Sequence, residues 1–226
     1  MLFRGQKSDY RRTTSSAEFS TLKPTLFRGS PTPLDRTLQR RFQKLQTAEN
    51  KLLTEFERAG FPDLERLQRH RILRWSILQH YEICKTPLLD VTHSLRIAVS
   101  FASQDAVGIA YLFVLGVPNI SGAITASAEA GLQIIRLASV CPPAAVRPHI
   151  QEGYLLGEYP DMAGYTQKQL YGHYEIDFGR RVAAKFCFDP DDFRGNSDFP
   201  LIKRDALYPN TSDEMYDVAQ MVKNGL

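Results

Sequence analysis

Apolar positions in the first third of the chain follow a helical period. Between residues 34 and 59 they recur at intervals of three, four or seven, which places them on one face of a helix. Gly60 then supplies a C-terminal stop, and Pro62 falls at a favourable first position for a second helix that runs to about Tyr81. The stripe of the first helix consists of Leu34, Leu38, Phe42, Leu45, Leu52 and Phe56.

Short apolar runs later in the chain predict strands. Residues 108–117 (GIAYLFVLGV) are apolar and are bounded by glycines and Pro118, as expected for a buried strand. Residues 132–137 and 181–188 are further candidates, whereas residues 85–92 indicate a short strand or turn. Thr92 is then a plausible N-cap for a helix, and a last helical pattern covers residues 213–222. The polar residues 7–20, rich in serine and threonine, indicate a loop.

This order of elements predicts an α+β fold in one domain spanning residues 1–226. A helical segment occupies about residues 34–81, a strand-rich part about 86–190, and a C-terminal helical segment about 199–224. Strands and helices do not alternate regularly, so the pattern does not favour a doubly wound parallel sheet.

Composition adds limits on the class of protein. The net charge of +3 is too weak to indicate nucleic acid by itself, although the first third is basic. Two interpretations of those cations are open: they lie on solvent-exposed helix faces, or they form a surface that binds phosphate groups. Three scattered cysteines without a Cys-x-x-Cys pair argue against a disulfide framework or a zinc site and suit a reducing compartment. The sequence has no membrane-length apolar stretch and no signal-like apolar core, so we expect a cytoplasmic protein.

The first candidate for chemistry is Phe3-Arg4-Gly5-Gln6, close to the start of the chain. Arginine presents a rigid fork of donors that suits phosphate or carboxylate, and a neighbouring glycine lets the backbone approach a ligand. The alternative is an arginine that pairs with a carboxylate at the end of a strand.

The second candidate combines Gln79-His80-Tyr81 with the segment 86–102 just downstream. Asp90 follows an apolar pair, and a carboxylate there is costly unless hydrogen bonds satisfy it. Asp90 therefore either accepts from nearby backbone amides or has a functional role. His80 has the pKa range of a general base, but it can equally be a satisfied core histidine.

The third candidate is Gln151-Glu152 beside Gly153, in a segment that begins at Arg147. Amides and carboxylates both accept hydrogen bonds from sugar hydroxyls, although a capping turn would use the same residue types. If the pair begins a strand, its two side chains point to opposite faces, so one of them is expected to face a pocket.

Taken in order, these segments resemble the FRG family, which takes its name from a Phe/Tyr-Arg-Gly motif near its start. The family pattern also contains Leu-x-Pro-x-Leu-x-Arg, Gln-His-aromatic, Thr-x-Leu-Leu-Asp-x-Thr, Ala-x-x-Phe-Ala, Gln-x-Gly and Leu-Phe-Pro-Asp segments. The matching segments here are residues 3–5, 22–28, 79–81, 86–92, 98–102, 151–153 and 206–210.

The motif order is in turn similar to that of ADP-ribosyltransferases. This resemblance implies a split mixed or antiparallel sheet, NAD as substrate and no metal. The NAD-binding residues that it implies are Arg4, Gly5, Gln6, Thr92 and Ser94. The catalytic residues that it implies are Glu152, Gln151, His80 and Asp90.

The function implied by the resemblance is transfer of ADP-ribose to a macromolecule, either nucleic acid or protein. Such an enzyme could serve as a toxin or a phage-defence effector, with an antitoxin or regulatory protein as partner and no membrane involved. The alternatives are an NAD glycohydrolase and a catalytically inactive module that binds a nucleotide or a partner.

Overall fold

The long amphipathic helix predicted from the first stripe is present as α1 (Asp35–Arg58). Its apolar stripe is buried except for Leu34, which precedes the helix and is exposed. Gly60 follows with a φ of +70°, a left-handed conformation that glycine adopts without strain. The computed structural model describes residues 1–13, 15–29, 33–170 and 176–226.

The region expected to form one helix from Pro62 to Tyr81 forms two, α2 (Leu64–Arg69) and α3 (Arg71–His80). Arg74 accounts for the interruption. Its Nη1 donates to the carbonyls of Leu67 at 2.7 Å and Gln68 at 2.8 Å, which the end of α2 leaves without helical partners. The expectation of one continuous helix was therefore wrong, and Arg74, six and seven residues further along the chain, satisfies the carbonyls left at the break.

Glu49 holds α1 against α3 through a buried carboxylate. Its Oε1 accepts from Trp75 Nε1 at 2.8 Å, and its Oε2 accepts from Arg71 and Arg74 at 3.0 and 2.9 Å. Glu49 is 3% exposed, so this charge is stable only because donors surround it. Several arginines of the basic first third are thus engaged in packing.

Two of the remaining helices have ten and eleven residues, and the others are short. They are α4 (Leu95–Gln104), α5 (Leu137–Val140), α6 (Val146–Ile150), α7 (Tyr165–Gln169), α8 (Arg204–Leu207) and α9 (Glu214–Asn224). Within the described ranges, none of the helices is both long and apolar enough to cross a bilayer.

The strands form one seven-stranded sheet and one two-stranded hairpin. The strands are β1 (Leu2–Gln6), β2 (Arg11–Thr13), β3 (Glu18–Ser20), β4 (Leu89–Thr92), β5 (Ala110–Leu115), β6 (Ile124–Ser127), β7 (Leu132–Arg136), β8 (Gly153–Glu158) and β9 (Val182–Phe188). The large sheet has the order β6-β7-β8-β4-β1-β5-β9, and all of its pairs are antiparallel. The α+β class is confirmed. The expected loop at residues 7–20 was wrong in part, since it contains the β2–β3 hairpin.

The sheet is weakly joined between β1 and β4. These two strands share a single residue pair, Phe3 with Thr92, whereas β1 and β5 are paired over five residues. The strands therefore diverge beyond that one pair, and side chains enter the space between them.

The two faces of the sheet have different coverings. Phe113 belongs to the main core, together with α1 and α3, while its neighbour Leu112 packs with Ala98 and Val99 of α4 on the other face. Gly5 is where α4 approaches β1 most closely. A Cβ at Gly5 would lie 1.8 Å from the carbonyl oxygen of Ala98. The absence of a side chain at Gly5 is therefore required for α4 to lie on β1.

We predict that Gly5→Ala strongly destabilises the protein. The added methyl has to displace backbone, not a flexible side chain, so the cost should reach or exceed the ~3 kcal/mol upper end of ordinary overpacking. Urea unfolding followed by circular dichroism measures it. Gly116→Ala is the matched control, because a Cβ there meets only the Arg181 carbonyl oxygen at 3.8 Å. Equal stability of the two variants would contradict the close packing of α4 on β1.

Candidate active site

A cavity of about 430 Å³ opens where β1 and β4 diverge. This volume lies within the usual size of small-molecule sites. The end of α3, the α4 helix, the turn before β8 and the α8 segment enclose the cavity. Its polar and charged lining residues are Arg4, Gln6, Lys7, Tyr10, Thr25, Arg28, Gln79, His80, Glu82, Asp90, Thr92, Gln104, Asp105, Arg147, Gln151, Tyr154, Arg204 and Tyr208.

Arg4 spans the gap between the diverging strands. Its Nη1 donates to the main-chain carbonyl of Asp90, and its Nε lies 2.8 Å from the Gln6 side-chain amide, whose oxygen can accept from it. Burial and the nearby Arg28 lower the pKa of Arg4 to about 10, although Asp90 opposes that shift. The guanidinium remains charged at neutral pH, but it is desolvated, which favours the binding of an anion.

Asp90 is positioned by Gln79. This residue belongs to the Gln-His-aromatic segment, but the family resemblance did not imply it as a site residue. Gln79 Nε2 donates to Asp90 Oδ2 at 2.6 Å, and its Oε1 accepts from the hydroxyls of Thr86 and Thr25. These two threonines fix the amide so that its NH₂ faces the carboxylate. Burial raises the pKa of Asp90, while Arg4 and Gln79 oppose the rise. A carboxyl group of this kind binds a proton more readily than an exposed one.

His80 lies at the end of α3 and is 4% exposed. Burial, assisted by the charge of Arg147, lowers the pKa of His80 well below 6.5, so its imidazole is neutral at pH 7. Its Nε2 has no hydrogen-bond partner among the described residues. The low pKa weakens His80 as a proton acceptor, and its role as a general base stays a prediction. A neutral imidazole with an unpartnered nitrogen instead suits a hydrogen bond with a ligand.

Arg147, at the start of the third candidate segment, is a cavity residue that the motifs did not indicate. Its guanidinium stacks 4.4 Å from the ring centroid of Tyr208, and its Nη2 lies 3.3 Å from Glu82 Oε1. Its Nε is buried without a partner among the described residues. The main-chain nitrogen of Arg147 donates to the buried carboxylate of Asp213 at 2.8 Å. Since Asp213 also accepts from the hydroxyl of Tyr81 at 2.8 Å, Arg147 is held in a fixed position.

Gln151 lines the cavity and Glu152 does not. The two residues lie in the turn between α6 and β8, not in the strand that was expected. Gln151 is buried and donates to the Leu207 carbonyl at 2.8 Å, which ties α8 to the site. Glu152 is exposed, and its φ of +44° is left-handed.

Thr92 and Ser94 have structural roles at the start of α4. Thr92 Oγ1 donates to the Gln151 carbonyl at 2.9 Å and accepts from the Ser94 amide at 3.1 Å. Ser94, not Thr92, is the N-cap, since its Oγ accepts from the Ile97 amide at 3.4 Å. The expectation of Thr92 as the cap was wrong. Thr92 lines the cavity, whereas Ser94 does not.

The charges around the cavity favour an anionic ligand. Five cations line it, namely Arg4, Lys7, Arg28, Arg147 and Arg204. Three carboxyl groups line it, those of Glu82, Asp90 and Asp105. Within the described residues, no group of three or more histidines, cysteines or carboxylates has an arrangement suited to a metal ion.

Comparison with known families supports the resemblance drawn from the motifs. The model of the FRG domain matches residues 1–107, which include Arg4, His80 and Asp90. Arg147, Gln151 and Tyr208 lie beyond the matched residues. Searches of curated proteins and of solved structures each gave no significant match.

We predict that His80 makes the protein less stable in mild acid. Its folded-state pKa is depressed, so its contribution is complete above its ordinary pKa of 6.5 and is lost as the pH falls, when only the unfolded chain takes up the proton. Melting temperatures at about pH 7.5 and pH 5 should show a smaller acid-induced loss for His80→Gln than for the wild type. His149→Gln, which removes an exposed imidazole on α6, is the control. Identical losses in the wild type and His80→Gln would show that His80 is not held neutral.

Proposed function

From the FRG domain at residues 1–107, we propose that this chain is an ADP-ribosyltransferase that binds NAD in the cavity between β1 and β4. The observation that carries the proposal is the meeting of Arg4, Asp90 and His80 around one cavity that has an excess of cations. These side chains come from three separate motifs, and their convergence combines an anion site with a buried carboxyl group. Perturbed titratable groups in a cavity of ligand size are typical of functional sites.

The pyrophosphate of NAD fits the Arg4 side of the cavity. Arg4 is desolvated and close enough to Arg28 for their charges to repel, which lowers the pKa of Arg4. A phosphate oxygen between two such guanidinium groups relieves that repulsion and accepts charge-assisted hydrogen bonds. Gln6 orients Arg4 in this arrangement, since its amide lies against Arg4 Nε.

The sugar of the nicotinamide riboside fits the side of the cavity nearer Arg147. His80 Nε2 is a buried nitrogen without a partner, and a ribose hydroxyl can donate to it. Gln151 lies on the same side, fixed through its bond to the Leu207 carbonyl. Leaving a buried polar atom without a hydrogen bond costs about 1–3 kcal/mol. A ribose hydroxyl that donates to His80 Nε2 removes this cost and so increases the affinity for NAD.

The proposed reaction breaks the bond between C1′ of this ribose and the ring nitrogen of nicotinamide. Nicotinamide leaves with the bonding electron pair, and positive charge develops on the ribose. The carboxylate of Asp90, held by Gln79, stabilises this charge electrostatically. The acceptor then forms a bond to C1′ and loses a proton, which passes to Asp90. Its raised pKa makes Asp90 a better base than an ordinary carboxylate.

Among the four catalytic residues that the family resemblance implied, this proposal gives the charge-stabilising role to Asp90 and not to Gln151 or Glu152. Gln151 carries no charge, and Glu152 lies outside the cavity lining. The cytoplasmic location, the effector role and an antitoxin or regulatory partner stay predictions from the resemblance.

The direct test incubates the purified chain with labelled NAD, alone and with RNA, DNA or a protein lysate, and measures free nicotinamide and transferred label together. Release of nicotinamide with label on one acceptor class supports the transferase. Release without any acceptor indicates an NAD glycohydrolase. Binding of NAD without release, measured by calorimetry, indicates an inactive module.

We predict that Arg4→Ala weakens NAD binding about 10- to 100-fold, as expected for the loss of hydrogen bonds from a charged donor. The melting temperature should fall only modestly, because the Asp90 carbonyl loses one hydrogen bond while the unfavourable burial of the cation is removed. Isothermal titration calorimetry and thermal melting provide the two readouts. Arg12→Ala removes the same charge from an exposed strand and serves as the control. A large fall in melting temperature with unaltered NAD affinity would show that Arg4 is structural.

We also predict opposite results for Asp90→Asn and Glu152→Gln, which each remove one negative charge. Asp90→Asn should reduce nicotinamide release at least ~100-fold, as for loss of a base or an electrostatic stabiliser, whereas Glu152→Gln should leave it nearly unchanged.

The stability of Asp90→Asn provides an independent readout. Since the folded-state pKa of Asp90 is raised, ionisation of Asp90 destabilises the wild type as the pH rises through that value. The melting temperature of Asp90→Asn should therefore be no lower than that of the wild type at neutral pH. Any difference in favour of the variant should become smaller as the pH falls. Loss of activity in Glu152→Gln with full activity in Asp90→Asn would reverse the assignment.

A further inference from the structure

We propose that a basic rim beside the cavity binds single-stranded nucleic acid and presents it as the acceptor of the proposed transfer. The basic rim consists of Arg28, Arg41 and Lys85, with Tyr10 on its cavity side and Lys44 at its outer end. This inference rests on the proposed function for the reaction, but the binding surface can be tested without it.

Backbone carbonyls hold the arginines of the rim close together. Arg41 Nη1 donates to the carbonyls of Leu26 at 2.6 Å and of Arg28 at 2.8 Å. Arg28 Nε donates to the carbonyl of Lys23 at 2.7 Å. These bonds orient the guanidinium groups without neutralising them, so the charge of each remains available to an anion.

The basic rim differs from other cations of the first third in having no salt bridge to the residues that the structure describes. Across the described ranges, none of Arg28, Arg41 and Lys85 has a carboxylate within salt-bridge distance. By contrast, other basic residues of the first third, such as Arg71 and Arg74, are paired with Glu49. Partial burial, followed by repulsion from Arg41 and Arg28, lowers the pKa of the Lys85 ammonium group. An anion bound here removes that repulsion and supplies the missing counter-charge.

The rim is continuous with the cavity. Arg28 and Tyr10 both line the cavity mouth, and Arg28 is near enough to Arg4 to influence its pKa. In the other direction, Lys85 follows Cys84, whose thiol pKa is raised by burial while the charge of nearby Lys44 opposes the rise. Lys44 lies one helical turn from Arg41 on α1, so the cations lead away from the cavity. A chain of phosphates can therefore cross the rim while one nucleotide reaches the cavity.

Tyr10 favours nucleic acid over an acidic protein. Tyr10 is 57% exposed although it lies next to the cavity, and its main-chain carbonyl accepts from the Thr21 amide at 2.7 Å. An exposed aromatic ring beside unpaired cations matches the way single-stranded nucleic acid is bound, with bases stacked on aromatic rings and phosphates on arginine or lysine. An acidic peptide would use the cations but would not need the ring.

The test measures binding of the full chain to a labelled single-stranded RNA of about 12 nucleotides, a length within the range of single-strand sites, by fluorescence anisotropy. We expect Lys44→Gln/Lys85→Gln to weaken binding and to lower the slope of log affinity against log salt by about 1.4, or ~0.7 for each lost phosphate contact. The control is Arg58→Gln/Lys223→Gln, which removes the same charge. Arg58 lies 14 residues beyond Lys44 on α1, about 21 Å along the helix axis.

A second pair of variants tests the aromatic contribution. Tyr10→Ala should weaken RNA binding about 5- to 100-fold, as for loss of one stacked base, and Tyr10→Phe should restore it. Phe19→Ala removes a similarly exposed ring, 58% exposed on β3, and should have little effect.

Three results would overturn the inference: no RNA binding by the wild type, equal loss in the Arg58/Lys223 control, or displacement of the RNA by polyglutamate as readily as by unlabelled RNA. NAD binding is measured separately on the same variants. Loss of NAD binding in Lys44→Gln/Lys85→Gln would place these lysines in the NAD site and likewise contradict the inference. RNA binding by a wild type that does not bind NAD would leave the rim intact and reject only the proposed enzyme.

Discussion

Arg4 substitutes for strand pairing where β1 and β4 separate. Beyond the single pair of Phe3 and Thr92, the main-chain carbonyl of Asp90 accepts from the Arg4 guanidinium instead of from a neighbouring strand. The sheet can therefore open without leaving that carbonyl unsatisfied. The cavity opens at this gap in the sheet, and the Asp90 carboxyl group, held by Gln79, lies at its edge.

The second half of the chain closes the cavity through a few buried polar contacts. Asp213 accepts from the Tyr81 hydroxyl and from the main-chain nitrogen of Arg147, and it also caps α9 by accepting from the Met215 amide at 3.1 Å. Gln151 binds the Leu207 carbonyl and brings α8 against the turn before β8. These long-range contacts fix the Arg147 side of the site, whereas the arginine of the Phe-Arg-Gly motif is fixed by β1 and its neighbours.

Much of the fold could be predicted from periodicity, because α1, β5 and α9 bury long and regular apolar patterns. The β2–β3 hairpin could not, since its residues are largely exposed and carry no apolar signal. Motifs predicted that Arg4, His80 and Asp90 belong to the site, but not the state of each group. The neutral imidazole of His80 depends on burial near Arg147, which lies 67 residues further along the chain. A contact between residues so far apart leaves no recognisable pattern in the sequence around either of them.

The pairing of β1 with β5 bears on where the folding unit ends. The family match stops at residue 107, three residues before β5 begins. Yet β5 supplies five of the residue pairs that hold β1, and β1 carries Arg4 and Gly5. A fragment cut at the end of the matched region would retain every motif residue of the first two candidate segments and lose the strand that supports them. The smallest unit able to present this site is therefore longer than the sequence signature by which it is recognised.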